Sequence, residues 1–266
     1  MRWGTLAFLV LRAQLFLLIF ARVTALVFTA PLISSSNIPA MARVGLALFV
    51  SAGILPWMEK VGYTIPDTGL FFAALVIGEV LIGVTLGLLL NVVYAAFQLA
   101  GQLFSLQMGF AASQVYDPLA QIQLPLIGQF LNLIAMFVLL SVSGLQKIFL
   151  VGIFRSFETV TAYNFLDRKD SIVQLMMKSM GGLFGQALLI ALPIVGTLFL
   201  ISVSMGLLAK AAPQMNLLML GFPINIMVAF LILFFTLPMI MEAFGRIIDM
   251  SFSEMMKMVS AAGGGQ

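Results

Sequence analysis

Long apolar stretches without a single charged residue alternate with short polar breaks along this chain of 266 residues. The longest uncharged stretches cover residues 80–116, 118–146, 179–209 and 211–241. Each exceeds the roughly 20 residues that an α-helix needs to cross a bilayer. Apolar residues follow one another continuously instead of alternating with polar ones, so the pattern indicates helices and not the strands of a membrane barrel. We therefore predict an all-α integral membrane protein.

Prolines and clusters of small polar residues mark the ends of the predicted helices. The first four helices are predicted over Leu6–Phe28, Met41–Leu55, Leu70 to Asn91 or as far as Gln98, and Leu124–Val142. The second of these is short for a membrane span. The last third predicts a helical hairpin with proline-containing arms over Met180–Leu208 and Leu217–Gly245. The charged stretch between Gly144 and Lys178 predicts a solvent-facing loop or an amphipathic segment.

Composition narrows the range of functions. The chain is 62% hydrophobic and only 9% charged, whereas soluble domains carry about 25% charged residues. Its net charge of +3 is too small and too scattered to indicate nucleic-acid binding. The chain contains neither Cys nor His, which excludes disulfides and removes the commonest general base and metal ligand. We expect no cofactor, no metal site and no catalysis.

Glu79 is the one charged residue inside the third predicted helix. A lone carboxylate at membrane depth is a candidate functional residue. Alternatively it pairs with an arginine of the first helix, Arg12 or Arg22, and the sequence leaves both readings open. Gly83 and Gly87 follow with GxxxG spacing, which lets another helix approach closely. That second helix belongs to this chain or to a partner subunit, and we favour a contact within the chain.

The stretch between the third and fourth predicted helices is rich in glutamine and broken by proline. The glutamines within this stretch and next to it are Gln98, Gln102, Gln107, Gln114, Gln121, Gln123 and Gln129. Neutral amides are costly against lipid and cheap against water or another polar chain. Taken by itself, the stretch is either a helix-breaking connector or part of an aqueous passage.

Three segments carry a resemblance to a known family. They are "APLISSSNIPAMARVGLAL" from Ala30, "GQLFSLQMGFAASQVYDP" from Gly101 and "AKAAPQMNLLMLGFPINIM" from Ala209. In this order and spacing they resemble the FliR family of the flagellar export apparatus, whose injectisome counterpart is the SctT family. The resemblance covers nearly the whole chain, and the segment around Pro213 and Pro223 is its most specific part.

The resemblance implies a single-copy core subunit of a type III protein export gate. It implies partners of the FliP, FliQ and FlhB types, unfolded flagellar proteins as cargo, membrane lipid around the assembly, and no nucleic acid. The implied location is the bacterial inner membrane at the flagellar basal body, with several spans by hydropathy. The implied fold has broken helices and hairpins packed into a helical assembly, with a FliP-like part over residues 1–179 and a FliQ-like hairpin and tail over residues 180–266.

The family also implies roles for particular residues. A loop between the middle helices, about residues 101–124 here, reaches into the pore and helps to plug it. The implied plug residues are Gln107, Met108, Gly109, Phe110, Gln114, Tyr116, Asp117 and Pro118. The implied residues of the hairpin turn and its subunit contact are Lys210, Pro213, Gln214, Asn216, Gly221 and Pro223.

Two other classes of function compete with an export gate. Broken helices and a lone buried Glu79 also suit a small-solute secondary transporter, although the sequence lacks a convincing internal repeat. An intramembrane aspartyl protease requires two aspartates on facing helices, and only Asp117 lies in a suitable apolar context. The sequence therefore favours a gate subunit over a transporter, and a transporter over an enzyme.

Overall fold

A computed structural model describes residues 2–35, 38–66, 68–109, 126–167, 169–212, 214 and 217–263. Within these ranges the chain is helical and forms no β-strand. The longer helices are α1 (Arg2–Thr29), α2 (Ala40–Val61), α3 (Gly69–Met108), α4 (Leu126–Ser141), α8 (Lys169–Ala211) and α9 (Leu217–Gly263). Between α4 and α8 lie α5 (Gly144–Lys147), a π-helix (Ile148–Arg155), α6 (Ser156–Thr159) and α7 (Ala162–Asp167). The predicted all-α membrane-type fold is confirmed.

Five helices of the described ranges are long and apolar enough to cross a membrane. They are Phe8–Thr29, Ala40–Val61, Gly69–Met108, Ile172–Ala211 and Pro223–Lys257. A sixth span is added if α4 and the helical run Gly144–Thr159 together form one broken span. The break between them contains Ser143, whose backbone is left-handed with φ 57°.

The structure corrects one sequence-based prediction about these elements and decides between two alternatives for another. The second helix is not short, because it continues through Pro56 to Val61 and has 22 residues. Pro56 removes a single backbone donor, and the helix runs on beyond it. The segment that follows Gly144 fits the amphipathic alternative and not the solvent-facing loop, since Ile148, Val151 and Ile153 of the π-helix are buried and Arg155 is exposed. Its apolar residues, and not its few charges, decide where it lies.

The described chain forms two compact units. Of the described residues, those within 1–92, 143–179 and 249–266 form unit 1, and those within 93–142 and 180–248 form unit 2. Helices α3, α8 and α9 therefore each contribute residues to both units. One boundary falls between Ser179 and Met180, the same position that divides the two parts predicted from the sequence, although residues 93–142 group with the residues that follow Met180. The division into FliP-like and FliQ-like parts stays a prediction.

Each unit has its own apolar core. In unit 1 the core is built around α1, where Leu18, Ile19 and Leu26 are almost wholly buried. In unit 2 the ring of Phe97 on α3 stacks on the ring of Phe244 on α9, with 3.9 Å between the ring centroids. Stacked aromatic pairs of this kind bury large apolar areas and fix the relative rotation of the helices that carry them.

Candidate functional site

Arg22 and Glu79 form a buried ion pair in unit 1. Arg22 lies on α1 and Glu79 on α3, and the Nε atom of Arg22 is 2.5 Å from Oε2 of Glu79. The exposed fractions of the two side chains are 1% and 0%. Two charges this far from water are stable only when each is paired and hydrogen-bonded. The pairing answers the question that the sequence left open, since Glu79 engages Arg22 and not Arg12.

The remaining donors of Arg22 are also engaged. Nη1 donates to the hydroxyl of Ser156 at 3.2 Å, and Nη2 donates to the carbonyl oxygen of Val160 at 2.8 Å. The guanidinium lies 3.9 Å from the centroid of the Phe157 ring, a cation–π distance. The planar guanidinium therefore joins α1 and α3 to the turn that follows the π-helix.

Tyr63 supplies the second partner of Glu79. Its hydroxyl donates to Oε1 of Glu79 at 2.5 Å and accepts from the backbone N–H of Ala162 at 3.3 Å. Burial, and next the negative charge of Glu79, raise the pKa of Tyr63 above its ordinary value. The phenol thus stays protonated and remains a donor to the carboxylate. Tyr63 lies in the connection between α2 and α3, so it attaches this connection to the buried pair.

These contacts define what the cluster can do. Both carboxylate oxygens of Glu79 have partners, and three nitrogens of Arg22 each have an acceptor. A group that carries protons or binds a solute must be reached by water or by that solute. Every polar atom of the cluster named here already has a hydrogen-bond partner within the protein. The geometry of the cluster therefore fits a structural tie between helices.

Helices α1 and α3 pack closely against each other next to the ion pair of Arg22 and Glu79. A Cβ atom added to Gly83 would lie 2.4 Å from the carbonyl oxygen of Arg22, and one added to Gly87 would lie 2.6 Å from Cβ of Thr29. The Nδ2 group of Asn91 donates to the carbonyl oxygen of Thr29 at the end of α1. The GxxxG spacing therefore serves a contact within this chain, as predicted, because α1 lies against these glycines.

The predicted plug residues fall only partly within the described residues. Gln107 is half-buried and Met108 is fully buried near the end of α3. Gly109 follows with φ 88°, a left-handed backbone that favours glycine and ends the helix. Phe110, Gln114, Tyr116, Asp117 and Pro118 lie outside the described residues. The structure thus describes the entry to the predicted plug, and the plug itself stays a prediction.

The predicted residues of the hairpin turn are also only partly described. Lys210, Gln214 and Pro223 are exposed and Gly221 is half-buried, whereas Pro213 and Asn216 lie outside the described residues. Exposed positions at this turn are available for contacts with another chain. A role for them in subunit contact stays a prediction.

Several residues of the buried cluster escape sequence analysis. Tyr63 stands in a polar connection and reads as an interfacial aromatic residue, and Ser156 stands in a stretch that reads as solvent-facing. Arg22 lies 57 residues from Glu79 and 134 residues from Ser156 along the chain. No local spacing signals contacts at these separations, and only the crossing of the helices brings the residues together.

Comparison with known proteins places the chain in a family. The family model for bacterial export proteins, family 1, matches residues 13–251. The chain is also 32% identical over 252 residues to the flagellar biosynthetic protein FliR of Bacillus subtilis, an alignment that covers 93% of this chain and 95% of that protein. The chain belongs to the FliR family of bacterial export proteins.

Other FliR proteins extend this match across distant bacteria. The chain is 29% identical over 254 residues to FliR of Borreliella burgdorferi, which covers 94% of this chain and 92% of that protein. It is 28% identical over 221 residues to FliR of Escherichia coli, with 82% of each chain covered. The match to the family of bacterial export proteins begins at residue 13 in α1 and ends at residue 251 in α9, so it includes all of unit 2 and most of unit 1.

Proposed function

We propose that this protein is a single-copy core subunit of the flagellar type III protein export gate in the bacterial inner membrane. In this proposal it forms part of the pore through which unfolded flagellar subunits pass, and it contributes one plug. The observation that carries the proposal is similarity over 93% of the chain to the flagellar biosynthetic protein FliR of Bacillus subtilis, at 32% identity. Its partners are FliP-type, FliQ-type and FlhB-type subunits, and it resides with them in the basal body.

The surface of the chain supports a role inside an assembly. Phe234 and Phe235 on α9 are 74% and 72% exposed, and Leu189 on α8 is 74% exposed. Large apolar side chains at this level of exposure need lipid or another protein chain to cover them. A subunit that meets lipid on one face and partner helices on another satisfies that need.

The structure gives no support to the competing transporter. A secondary transporter in which Glu79 binds a coupling ion requires an accessible carboxylate near the middle of the membrane. Glu79 is fully buried, and both of its oxygens are hydrogen-bonded. The charge that suggested transport is accounted for by the tie to Arg22 and Tyr63.

The first test is the native mass of the solubilised complex. The tagged chain is expressed alone and together with the FliP-type, FliQ-type and FlhB-type gene products, and each preparation is measured by native mass spectrometry. We expect one copy of this chain in a larger hetero-oligomer and a poor yield when it is expressed alone. A stable monomer or homo-oligomer that ignores the other gene products would overturn the proposal.

The second test addresses the plug. Residues 110–116 are deleted, or replaced by a Gly-Ser linker of the same length, in cells that assemble the complete gate. We expect both variants to leak small ions and the wild type to hold its membrane potential, because apolar and bulky side chains in a narrow bore exclude water and ions. A linker variant that seals as well as the wild type would mean that the side chains of this segment do not form the plug.

A further inference from the structure

Helix α9 carries an exposed stripe of apolar side chains that ends in a carboxylate. Leu231, Phe235 and Met239 are 55%, 72% and 52% exposed, and Glu242 follows them and is also exposed. At about 100° per residue, these four side chains lie within about 80° of one another around the helix axis. Ile240, which is buried, lies on the opposite side of the helix. We call the four exposed residues the α9 stripe, and all of them belong to unit 2.

Glu242 has no partner for its charge within the described chain. It forms no ion pair and no hydrogen bond with any residue that the structure describes. Arg246 lies about one turn further along α9 and is half-buried. A glutamate four residues before an arginine is the favourable order for an ion pair within a helix, yet the two groups do not pair. Compensation of the Glu242 charge is therefore left to water, lipid or another protein chain.

The composition of the α9 stripe favours a protein partner over lipid. Acyl chains can cover Leu231, Phe235 and Met239, but they offer Glu242 neither a hydrogen-bond donor nor a positive charge. Anionic lipids give a membrane surface a negative potential, which repels a carboxylate. An apolar helix that carries a lysine or an arginine covers the apolar part of the stripe and compensates its charge at the same time. Charge complementarity of this kind selects the partner and fixes its register.

We propose that the α9 stripe is the docking surface for an apolar helix of another subunit, which places a lysine or an arginine against Glu242. The proposal rests on the function proposed above and adds the chemistry of one partner surface. Phe235 is the main apolar contact, since large aromatic side chains that become buried in an interface contribute much of its stability. Glu242 sets the register, because its charge is compensated in only one position of the partner helix.

The first measurement is the amount of hetero-oligomer that forms when the charge at position 242 is reversed. The chain is co-expressed with the FliP-type, FliQ-type and FlhB-type gene products, and the complex is quantified by native mass spectrometry. Glu242→Lys should lower the amount by about tenfold, because like charges that face each other across an interface are strongly unfavourable. Glu254→Lys is the matched control, since it makes the same change of charge at an exposed position of α9 outside the stripe. An unchanged amount for Glu242→Lys would overturn the proposal.

An exchange of charges tests whether α9 compensates Glu242 by itself. The double variant Glu242→Arg with Arg246→Glu keeps both charges of the helix and their spacing. If Glu242 faces a basic residue of the partner, the exchange should lower the amount of hetero-oligomer as Glu242→Lys does. An amount equal to that of the wild type would mean that Glu242 and Arg246 compensate each other, and it would overturn the proposal.

Photo-crosslinking identifies what covers the stripe in a chain that keeps Glu242. Phe235 and Met239 are replaced one at a time by benzoylphenylalanine, the assembled complex is irradiated, and the crosslinked peptides are identified by mass spectrometry. We expect crosslinks to one helix of another gate subunit, with a lysine or an arginine within about two turns of the crosslink, because Phe235 lies about two turns from Glu242. Replacing that basic residue by glutamate should restore assembly of Glu242→Lys. Crosslinks to lipid, or to a helix without such a residue, would overturn the proposal, and so would a failure to restore assembly.

The docking surface and the proposed function fail in different ways. If the wild-type chain forms no hetero-oligomer, or if its stripe crosslinks to a second copy of this chain, the proposed function fails and the docking surface fails with it. If the wild type assembles as one copy in a hetero-oligomer and Glu242→Lys assembles equally well, only the docking surface fails.

Discussion

Arg22 on α1 and Glu79 on α3 meet at 2.5 Å inside unit 1, with almost no exposure to solvent. The pair has a complete set of partners in Tyr63, Ser156 and the carbonyl of Val160. Removing one charge of such a pair leaves the other buried and uncompensated, which costs far more than the pair contributes when it is intact. This asymmetry gives a direct test of the structural role of the cluster.

The first prediction concerns single and double replacements of this pair. Glu79→Gln and Arg22→Met should each lower the free energy of unfolding by about 3–5 kcal/mol, because each leaves one uncompensated buried charge. The double variant Arg22→Met with Glu79→Leu should lose less than the sum of the single variants. The measurement is the thermal unfolding midpoint of the purified assembly, together with its yield.

The exposed pair of Arg12 and Glu59 is the matched control. Its Nε–Oε1 distance is 2.7 Å, and its side chains are 46% and 32% exposed. Exposed ion pairs contribute about 0–1 kcal/mol, so Glu59→Gln should leave the midpoint almost unchanged. Equal losses at Glu79 and Glu59 would contradict the assignment of the buried pair as a helix tie.

The second prediction concerns Tyr63. Tyr63→Phe removes a hydrogen bond to a buried carboxylate and should cost about 1.5–3 kcal/mol near neutral pH, the range for hydrogen bonds to charged groups. The folded state raises the pKa of Tyr63 above its ordinary value of 10.0, chiefly through burial and then through Glu79. A raised pKa in the folded state means that the stabilisation is complete below about pH 10 and is lost as the pH rises further.

Unfolding of the wild type and of Tyr63→Phe is therefore compared at pH 7, 9 and 11. The difference in stability should be constant between pH 7 and pH 9 and should shrink at pH 11. A difference that grows between pH 9 and pH 11 would mean that the folded state favours the phenolate, against the contacts with Glu79 and Ala162. Other groups that titrate in this range affect both proteins equally, so the difference isolates Tyr63.

The sequence predicts the positions of most helices because uncharged apolar stretches and proline clusters are local signals. It fails at the end of α3, where the glutamines Gln98, Gln102 and Gln107 suggest a break and the helix continues to Met108. Glutamine is a good helix former, and a polar side chain can stay exposed without ending a helix. Polarity indicates the environment of a residue more directly than it indicates the end of a helix.

The candidate site is predicted only in part for a related reason. Glu79 is a candidate because it is a charged residue within a long apolar helix. If it is paired, its expected partner is an arginine of α1. The choice of Arg22 over Arg12, and the contributions of Tyr63 and Ser156, depend on how helices cross. Sequence spacing predicts which residues share a face of one helix, but it does not predict which faces of distant helices meet.

The third prediction concerns the end of α1. Asn91 donates to the carbonyl oxygen of Thr29, one of the last carbonyls of α1 that lack a partner within the helix. Asn91→Ala should cost about 1–3 kcal/mol, because it leaves a partly buried acceptor without its donor. Thr85→Ala on the same helix is the control, since Thr85 donates only to the carbonyl of Leu81 one turn earlier. Equal unfolding midpoints for the two variants would contradict a capping role for Asn91.

The last prediction concerns the small residues along α3. Gly83→Ala and Gly87→Ala each place a Cβ atom within 3 Å of atoms of α1, and the nearest neighbour of Gly83 is backbone. Overpacking of this kind costs about 1–3 kcal/mol, and it should outweigh the gain of up to about 1 kcal/mol in helix propensity. Gly45→Ala and Gly53→Ala on α2 meet no atom within 4 Å and should be neutral or stabilising.

The same four variants also distinguish packing within the chain from contact with a partner. If α1 is the helix that lies against Gly83 and Gly87, their alanine variants should lower the unfolding midpoint of this chain when it is purified alone and when it is assembled. If a partner subunit occupies that face, the loss should appear only in the assembled complex. A loss confined to the complex would mean that α1 moves away from α3 on assembly, and that the tie between Arg22 and Glu79 opens with it.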